Sequence, residues 1–449
     1  MPISRRQLLN AVAGVPALRT VARLAGAAEV RESPTSVHEL RKQFPALRQQ
    51  INGHDYVYLD SAATTQKPEM VIDTVSDFYR STNANPTPTL HAMARRSYEM
   101  YENARGTVAA FVNAKEAGEI VWTRGTTEAI NLVASSWGMT NLKPGDEIIL
   151  TIAEHYSNLV PWHVLANRTR AKLLYIDIDD AGHLRLDQFE SLLSKRTKLV
   201  AFSHVSNVLS LINPTKQICD RAHEAGARVL IDGAQSIPHI QIDVQDLGCD
   251  FFAFSGHKLL GPMGIGVLWA RRELLEQMPP YQSGSNMAHN VSLDAAELAH
   301  GGYKFGAGTP YASGAIGLAS ALQFLKSLGY KKLRTDEVEL ITYAVARLAS
   351  VSGLRLLGEA PPEGRISLFS FVMSNMPAQQ LVSAMDMRGI ALRGGDLAAL
   401  PLLKRLGFSE AVRASLYLYN TKKEMDVLVD ALSAARKSQC AESTVGVRS

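Results

Sequence analysis

Seven short apolar segments, separated by stretches of helical periodicity, constrain the fold of this chain more than any other feature. From Glu119 onward they have the sequences EIVWT, EIILT, KLLYI, TKLVAFSHV, RVLIDGA, FFAFSG and GIGVLWA. Apolar runs of this length, bounded by Gly, Asp and Thr, are typical of strands buried on both faces of a mostly parallel sheet. The sequence therefore predicts an α/β fold with a seven-stranded sheet, and helices that begin at Thr126 and Ser157.

The pattern changes after Thr309. A long Ala- and Leu-rich helix is predicted over Ala312 to Leu328, another from Asp336, a strand at SLFSFVM and a last helix near Lys422 to Arg436. These elements indicate a second, smaller α+β domain. The predicted boundaries are a large domain at 56–305, a small domain made of 35–55 and 306–437, and a loose tail at 438–449.

The first 28 residues resemble a twin-arginine export signal with a cleavage site. The pair Arg5 and Arg6 precedes a small apolar stretch, and Ala25-Gly26-Ala27 follows. Arg19 and Arg23 are atypical of such signals, so organelle import and a plain basic N-terminus on a cytoplasmic enzyme remain open. Export to the periplasm is the expectation, and each of the three hypotheses excludes residues 1–28 from the fold.

Composition excludes several classes of function. With 46% hydrophobic and 20% charged residues, the chain is typical of globular proteins. The leader's four arginines equal the whole formal charge of +4, so the body offers no basic surface for nucleic acid or membrane. No apolar run reaches the roughly 18 residues of a membrane span. The three cysteines, Cys219, Cys249 and Cys440, have neither disulfide-framework nor zinc-site spacing, and no metal is expected.

Three motifs at strand ends carry candidate chemistry. Lys258 follows the apolar strand at Phe251, and an ammonium there is costly to bury but well placed for a Schiff base. Asp232 ends another strand, where it could hold a ring nitrogen protonated. Gly125-Thr126-Thr127 opens a helix and offers amides and hydroxyls to a phosphate. Each motif alone also fits a helix cap or a turn, but together they match the requirements of pyridoxal phosphate (PLP).

The sequence resembles the class V aminotransferases, which are fold-type I PLP enzymes, and among them the group II cysteine desulfurases and selenocysteine lyases. The resemblance covers about residues 40–432. The motifs that carry it are YLDSAATTQKP, RGTTEAINLVASSW, EHYSNLVPW, HVSNVL, IDGAQ, FSGHKLLGPMGIG, AGTP and VRASLYLYNT.

This resemblance implies a role for each matching residue. Lys258 would form the internal aldimine and shuttle protons, and His155 would stack on the ring. Asp232 would pair with the pyridinium nitrogen, Gln235 would reach the ring oxygen, and Asn207 would lie near that oxygen and the substrate carboxylate. Arg413 would clamp the carboxylate. The phosphate would be held by Thr126, Thr127, Ser255 and His257, joined by Thr309 from the partner in a homodimer with shared active sites.

Structural alternatives remain for some of these residues. His155 could be an interior histidine, Asn207 a turn residue and Arg413 part of an interdomain salt bridge. His91 and His204 are expected to be structural.

One position departs from the family in a way that bears on chemistry. Cysteine desulfurases carry a nucleophilic cysteine on a loop that matches Arg393 to Pro401, and the aligned residue is Ala398. An alanine cannot accept sulfur, and none of the three cysteines is expected to replace the missing thiol. Residues expected at the edge of the active site also differ from those usual in the family, at Asn85 to Thr89 and at Gly306.

The sequence thus predicts a PLP-dependent transferase or lyase that acts on an amino acid or amine. Transamination, carbon-sulfur lyase chemistry or decarboxylation would proceed without a persulfide-forming cysteine. Two alternatives stay open. One is a genuine cysteine desulfurase with an external or unconventional sulfur acceptor, and the other is a non-catalytic partner subunit.

Overall fold

The computed structural model describes residues 36–445, with side chains to residue 437. The predicted targeting segment 1–28 lies outside the described residues. The strands are β1 (Gln50–Ile51), β2 (His54–Asp55), β3 (Val57–Tyr58), β4 (Ile120–Thr123), β5 (Glu147–Thr151), β6 (Lys172–Ile176), β7 (Thr197–Ser203), β8 (Arg228–Asp232), β9 (Phe251–Ser255), β10 (Gly266–Ala270), β11 (Ala288–His289), β12 (Glu297–Leu298), β13 (Leu354–Leu356), β14 (Leu368–Met373), β15 (Ile390–Ala391), β16 (Arg393–Gly395) and β17 (Ala411–Ser415).

The helices follow the strands in both domains. They are α1 (Val37–Arg41), α2 (Glu69–Ser81), α3 (Ala92–Phe111), α4 (Thr126–Val133), α5 (Met139–Asn141), α6 (Val160–Thr169), α7 (Leu186–Leu192), α8 (Thr215–Glu224), α9 (Val244–Leu247), α10 (Arg272–Gln277), α11 (Ala312–Leu328), α12 (Tyr330–Ala349), α13 (Ala378–Asp386), α14 (Leu400–Arg405) and α15 (Lys422–Val445). Short 3₁₀ turns include Tyr156–Asn158 and Gly256–Lys258.

The predicted seven-stranded sheet is confirmed. Its strand order is β4-β10-β9-β8-β7-β5-β6. Strand β10 runs antiparallel to both of its neighbours, and the remaining pairs are parallel. Seven of seven apolar segments therefore form the strands expected of them.

Both faces of this sheet are covered by apolar cores. Along β5, Ile149 belongs to one buried cluster, whereas Ile148 and Leu150 belong to the other. Successive strand side chains point to opposite faces, so a continuous apolar run supplies both cores at once. This double coverage explains why the strands lack the alternating polarity of a half-exposed sheet.

A four-stranded antiparallel sheet, in the order β13-β14-β17-β16, forms the second domain. Its core contains residues of α12, α13 and α15, together with Val57 and Leu59. The segment after Leu59 joins the two domains, because Asp60 forms an isolated bridge to Ser415. This junction brings the end of β17 towards the carboxyl edge of the large sheet.

Some predicted boundaries differ from the structure. Helix α6 begins at Val160 rather than Ser157, because a 3₁₀ turn occupies Tyr156–Asn158. Helix α12 begins at Tyr330 rather than Asp336, directly after Gly329, whose φ of +78° interrupts the preceding helix. The last helix continues to Val445, so the tail predicted at 438–449 begins as helix.

The largest apolar core continues across the predicted domain boundary at 305/306. It contains residues of the large sheet, of α11 and of the small-domain elements α14 and β17, such as Leu402 and Ala411. Helix α11 packs against α2 and α3, and Leu40 and Phe44, predicted to lie in the small domain, belong to the same core. Because this core is shared, the predicted domain boundaries stay a prediction.

Candidate active site

A cavity of about 460 Å³ lies at the carboxyl edge of the large sheet, where it meets the small domain. Open α/β sheets bind ligands at this edge. All but one of the sequence-predicted site residues line it: Thr126, Thr127, His155, Asn207, Asp232, Gln235, Ser255, His257, Lys258 and Arg413. Thr309 does not line the cavity of its own chain, which leaves its proposed contribution to a partner untested.

Lys258 enters the cavity from the 3₁₀ turn that follows β9. Burial lowers its pKa from the ordinary value to about 8, Asp232 opposes the shift, and Arg413 adds to it. A lysine with this pKa is a stronger amine nucleophile near neutral pH than a solvent-exposed lysine. Such an amine is suited to attack an aldehyde.

Asp232 ends β8 and lies deep in the cavity wall. Its Oδ1 accepts a hydrogen bond of 2.9 Å from the Ala234 N–H. Burial raises the pKa of Asp232, while the Ala234 amide and the Lys258 ammonium hold it down. A buried carboxyl with so few donors is suited to pair with a cationic ring nitrogen.

His155 lies after β5 and presents a neutral ring to the cavity. Burial lowers its pKa to about 4, and Lys258 and Arg413 add to the lowering. Its Nδ1 accepts from the Ser157 N–H at 3.1 Å, which assigns the ring proton to Nε2. A neutral, oriented imidazole can stack on a flat aromatic ligand without a charge penalty.

Glu154 fixes the segment that precedes this ring. Its oxygens accept from Thr151 Oγ1 (2.6 Å), Ser203 Oγ (2.6 Å) and Asn158 Nδ2 (2.7 Å). Burial raises the pKa of Glu154 to about 7 against those hydrogen bonds. A fully bonded buried carboxyl of this kind rigidifies its surroundings.

The start of helix α4 forms a small polar pocket with β9. The Thr126 N–H donates to Ser255 Oγ at 2.8 Å, and Thr126 Oγ1 lies 2.8 Å from the same oxygen. Thr127 Oγ1 lies 2.8 Å from Ser157 Oγ. A Cβ added at Gly266 would lie 2.4 Å from the Gly125 Cα, so the backbones approach as closely as glycine allows. Hydroxyls and amides at a helix start are suited to bind a phosphate.

Arg413 reaches the cavity from β17 and is already bonded on one side. Its Nη1 donates to the Asn207 carbonyl at 3.0 Å, and its Nη2 lies 3.5 Å from Asp60 Oδ1. Burial lowers its pKa to about 10, partly offset by Asp60, so the group stays charged at neutral pH. Its Nε has no hydrogen-bond partner in the described structure.

Arg393 and Asp60 were not predicted as site residues. Arg393 lines the cavity, and its Nη2 lies 2.7 Å from Asp60 Oδ2, so two guanidinium groups share one carboxylate. Asp60 lies in the motif YLDSAATTQKP, and Arg393 begins the segment that contains Ala398. Because the two residues are 333 positions apart, the sequence did not predict that they form an ion pair.

Two residues expected to contact the cofactor ring oxygen use their amide groups elsewhere. Gln235 Nε2 donates to the Ala62 carbonyl at 3.0 Å, and Asn207 Nδ2 donates to the Leu397 carbonyl at 2.8 Å. Since a carbonyl only accepts, the amide nitrogen of Asn207 must face Leu397. Asn207 Oδ1 remains buried without a partner.

Ala398 lines the cavity, and no described cysteine does. Cys219, on α8, and Cys249, just before β9, are buried. Burial raises the pKa of Cys219 to about 12 and that of Cys249 well above its ordinary value. Neither is therefore a thiolate near neutral pH. The side chain of Cys440 lies outside the described residues.

The remaining polar candidates lie away from the cavity. His91 caps α3, its Nδ1 accepting from the Ala94 N–H, and His204 is buried outside the cavity lining. Residues 36–445 contain no cluster of side chains that could hold a metal ion, and no helix among them is long and apolar enough to cross a membrane.

Comparison with known proteins identifies the class of this fold and site. The profile of the aminotransferase class-V family matches residues 57–428. The chain belongs to this family of fold-type I, PLP-dependent enzymes.

Within this family, the chain is similar to proteins named cysteine desulfurases. The chain is 44% identical over 402 residues to a probable cysteine desulfurase of Halalkalibacterium halodurans, covering 90% of this chain and 98% of that protein. It is 45% identical over 396 residues to a cysteine desulfurase of Synechococcus elongatus, covering 88% of this chain and only 63% of that longer protein. The solved cysteine desulfurase CsdA from Escherichia coli superposes with a TM-score of 0.83 at 40% identity, covering 90% and 98% of the two chains.

The residues of the cavity fit PLP. His257 Nδ1, Asn207 Oδ1 and Arg413 Nε are buried polar atoms without partners, and all three residues line the cavity. Buried polar groups in folded proteins are normally bonded, so unpaired ones here indicate a polar ligand. The amine of Lys258, the carboxyl of Asp232 and the hydroxyls at α4 match the aldehyde, ring nitrogen and phosphate of PLP.

Proposed function

We propose that this PLP-dependent enzyme removes sulfur from L-cysteine, leaves L-alanine and passes the sulfur to an external thiol. The observation that carries the proposal is the meeting of Lys258, Asp232, His155 and Arg413 in one cavity between the domains. The names of the relatives favour cysteine desulfuration over the other PLP reactions expected from sequence. The absence of a described cysteine from the cavity lining favours an external acceptor.

When bound, PLP withdraws electrons from the bonds at the α-carbon of an amino acid. Lys258 Nζ would hold the cofactor covalently and, as a free amine, would move a proton from and to substrate carbon. The phosphate would be held by Thr126, Thr127, Ser255 and His257. Asp232 would keep the ring nitrogen protonated, and His155 would cover one ring face as a neutral imidazole.

Arg413 holds the substrate carboxylate. Its charge persists at neutral pH, and its unpartnered Nε leaves part of the guanidinium available. Asp60 orients it through Nη2, and the Asn207 carbonyl does so through Nη1. A planar guanidinium held in this way presents its donors to a carboxylate at a fixed angle.

The proposed sulfur step uses a thiolate from outside the chain, because no cysteine with a described side chain lines the cavity. An external thiolate attacks the sulfur of the bound cysteine, the carbon-sulfur bond breaks, and the acceptor leaves as a persulfide. The electron pair of the broken bond stays with the substrate β-carbon, which takes up a proton and gives alanine. The acceptor is a small thiol or a partner cysteine that reaches the cavity beside Ala398.

A second candidate function is PLP chemistry that never transfers sulfur, favoured by Ala398. Transamination, decarboxylation or β-elimination of a carbon-sulfur bond requires only the cofactor and its lysine. A non-catalytic partner subunit is disfavoured, because such a subunit has no use for the assembled set of Lys258, Asp232 and His155.

A product assay tests the proposal. The purified protein is given PLP, L-cysteine and a small thiol, and alanine, pyruvate and ammonia are measured. Alanine over many turnovers, in proportion to persulfide or sulfide, is the expected result. Pyruvate and ammonia would instead identify β-elimination. No turnover of L-cysteine would reject the proposed function and direct the search to other amino acids and amines.

We also propose a homodimer in which Thr309 completes the phosphate site of its partner. The family resemblance at Ala307-Gly308-Thr309-Pro310 supports this arrangement. Mixed dimers of Lys258→Ala and Thr309→Ala chains then contain one site with both changes and one with neither. Activity recovered on mixing, above that of either variant alone, is expected. No recovery in dimers of proven mixed composition would reject the shared site.

Export by the twin-arginine route is the proposed fate of the chain, supported by the pattern in residues 1–28. This route carries folded proteins, which suits an enzyme that acquires its cofactor while it folds. Cell fractionation should find a shortened protein outside the cytoplasm when the leader carries Arg5 and Arg6. Full-length protein found only in the cytoplasm would contradict export.

A further inference from the structure

The turn that contains Ala398 has an uncommon backbone. Leu397 and Ala398 both have positive φ angles, +51° and +53°, and both line the cavity. Left-handed backbone is unfavourable for residues with a Cβ, and two such residues in a row require outside support. The contacts of this turn therefore show what its position depends on.

Hydrogen bonds within the turn supply part of that support. Asp396 Oδ1 accepts the Ala398 N–H at 3.0 Å, and the Asp396 carbonyl accepts the Ala399 N–H at 2.9 Å. From the large domain, Asn207 Nδ2 donates to the Leu397 carbonyl at 2.8 Å.

Tyr156 holds the same turn at two points. Its N–H donates to the Ala398 carbonyl at 2.8 Å, and its hydroxyl donates to Asp396 Oδ2 at 2.6 Å. The second contact is a short hydrogen bond to a charged acceptor at the exposed edge of the cavity. Tyr156 follows β5 of the large domain and Asp396 follows β16 of the small domain. The pair therefore connects the two domains beside the cavity.

We propose that Tyr156 and Asp396 form a latch that fixes the 396–399 turn as a wall of the substrate cavity, and so restrict the cavity to amino acids with small side chains. Both carbonyl oxygens of the wall, at Leu397 and Ala398, are already bonded. Both carboxylate oxygens of Asp396 are bonded as well. The turn therefore lines the cavity with the isobutyl group of Leu397, the methyl group of Ala398 and the bonded carboxylate of Asp396.

This inference deepens the proposed function and rests on it only in taking the cavity as the substrate site. Tyr156 and Asp396 act as positioning residues, because they bond the wall rather than the reacting atoms. Their loss should release the turn and leave Lys258 and Asp232 in place. The effect should therefore appear in binding and selectivity, with the chemical step preserved.

The test uses Tyr156→Phe, Asp396→Ala and the double variant of the full chain, with Asp396→Asn as the conservative change. Tyr175→Phe is the matched control, because it removes a hydroxyl bonded to His163 at 3.0 Å, away from the cavity. The first measurement is amide hydrogen exchange of a peptide spanning 396–399 in the protein without substrate. The second is kcat and KM for L-cysteine, together with the inhibition constant of L-homocysteine, whose side chain is one methylene longer.

Exchange at 396–399 should accelerate by about three- to tenfold in Tyr156→Phe and more in Asp396→Ala, with Asp396→Asn between wild type and Asp396→Ala. The double variant should resemble Asp396→Ala, because the two changes break the same contact. KM for L-cysteine should rise by a similar factor, kcat should stay within about twofold, and the inhibition constant of L-homocysteine should fall relative to that KM.

Unchanged exchange in both single variants, or fully additive effects in the double variant, would overturn the latch. Accelerated exchange with unchanged KM and selectivity would overturn its role in substrate choice. If the wild-type enzyme does not turn over L-cysteine, the proposed function fails separately, and the exchange rates still decide whether the latch exists. Wild-type-like behaviour of Tyr175→Phe is required in every case.

Discussion

At the scale of single residues, the chemistry depends on Lys258 and the charges around it. Burial and Arg413 lower the pKa of its ammonium, while Asp232 raises it, and the balance lies at about 8. The sequence placed Lys258 and Asp232 at strand ends, which predicts their meeting at one edge of the sheet. It did not predict that Asp60 bonds both Arg413 and Arg393, because that contact joins residues far apart in the chain.

The first prediction concerns the Lys258 side chain itself. Lys258→Ala should lower kcat by a factor of about 10³ or more, because it removes both the cofactor bond and the proton carrier. Size-exclusion chromatography and the thermal unfolding midpoint should remain close to wild type. Lys195→Ala, an exposed lysine outside the cavity lining, is the control and should keep full activity. Substantial turnover by Lys258→Ala would show that Lys258 is not the residue that bonds the cofactor and carries the proton.

The second prediction concerns the pH dependence of cofactor uptake. A neutral amine attacks the aldehyde, so the rate at which the apoprotein binds PLP should rise with pH and level off above about 8. Because Asp232 holds the pKa of Lys258 up, Asp232→Asn should move this rise to lower pH. Stopped-flow absorbance of the bound cofactor measures the rate. A rise centred near the ordinary lysine pKa of about 10.4 would contradict the effect of burial.

At the scale of elements, strands and helices were more predictable than the way they pack. Helix α11 occupies the span expected of it, and all seven strands lie on the predicted apolar segments. Local periodicity, however, says nothing of which core a helix joins, and α11 packs with the large domain. In the same way, the motifs identified Asn207 but did not show that its amide bonds the Leu397 carbonyl.

The third prediction tests the close contact at the phosphate pocket. Gly266→Ala would place a Cβ 2.4 Å from the Gly125 Cα, so the start of α4 must shift. Stability should fall by about 1–3 kcal/mol and PLP affinity should fall with it. Gly106→Ala is the control, because its Cβ meets nothing within 4 Å inside helix α3, and it should stabilise the protein by about 1 kcal/mol. Unchanged PLP affinity in Gly266→Ala would show that the close contact between Gly266 and Gly125 is not needed for phosphate binding.

The fourth prediction concerns Glu337 on α12. Burial alone would raise its pKa, but His239, Arg334 and Ser367 outweigh burial and lower the pKa to about 2. The resulting stabilisation is complete above the unfolded-state pKa of about 4.3 and is lost as the pH falls towards 2. Glu337→Gln should cost about 3 kcal/mol at pH 7 and reduce this acid-dependent loss, as measured by urea unfolding between pH 2 and 7.

Glu339→Gln is the matched control for this prediction. Glu339 lies on the same helix, is exposed and pairs with Lys422 at the surface. Exposed ion pairs contribute little to stability, so its replacement should leave the unfolding free energy nearly unchanged. An equal loss of unfolding free energy in the two variants would show that the buried hydrogen bonds and ion pairs of Glu337 contribute no more to stability than a surface ion pair.

At the scale of the whole molecule, the account rests on one contrast. The fold is similar to that of cysteine desulfurases, with a TM-score of 0.83 to a solved one, but Ala398 lines the cavity at the position where the sequence resemblance implies a cysteine. The fold, the cofactor and the strand-end residues were predictable, because long motifs carry them. The sulfur acceptor was not predictable, because the thiol that receives the sulfur is not among the residues that line the cavity.

The most direct test of this account is the intact mass of the protein after incubation with PLP and L-cysteine, first without and then with a small thiol. The account predicts no added sulfur atom on Cys219, Cys249 or Cys440 without the thiol. It predicts that alanine accumulates over many turnovers and that its rate rises when the small thiol is added, since L-cysteine is itself a thiol that can accept sulfur more slowly. A protein-bound persulfide formed in the absence of thiol would show that the chain supplies its own sulfur acceptor and would contradict the central claim.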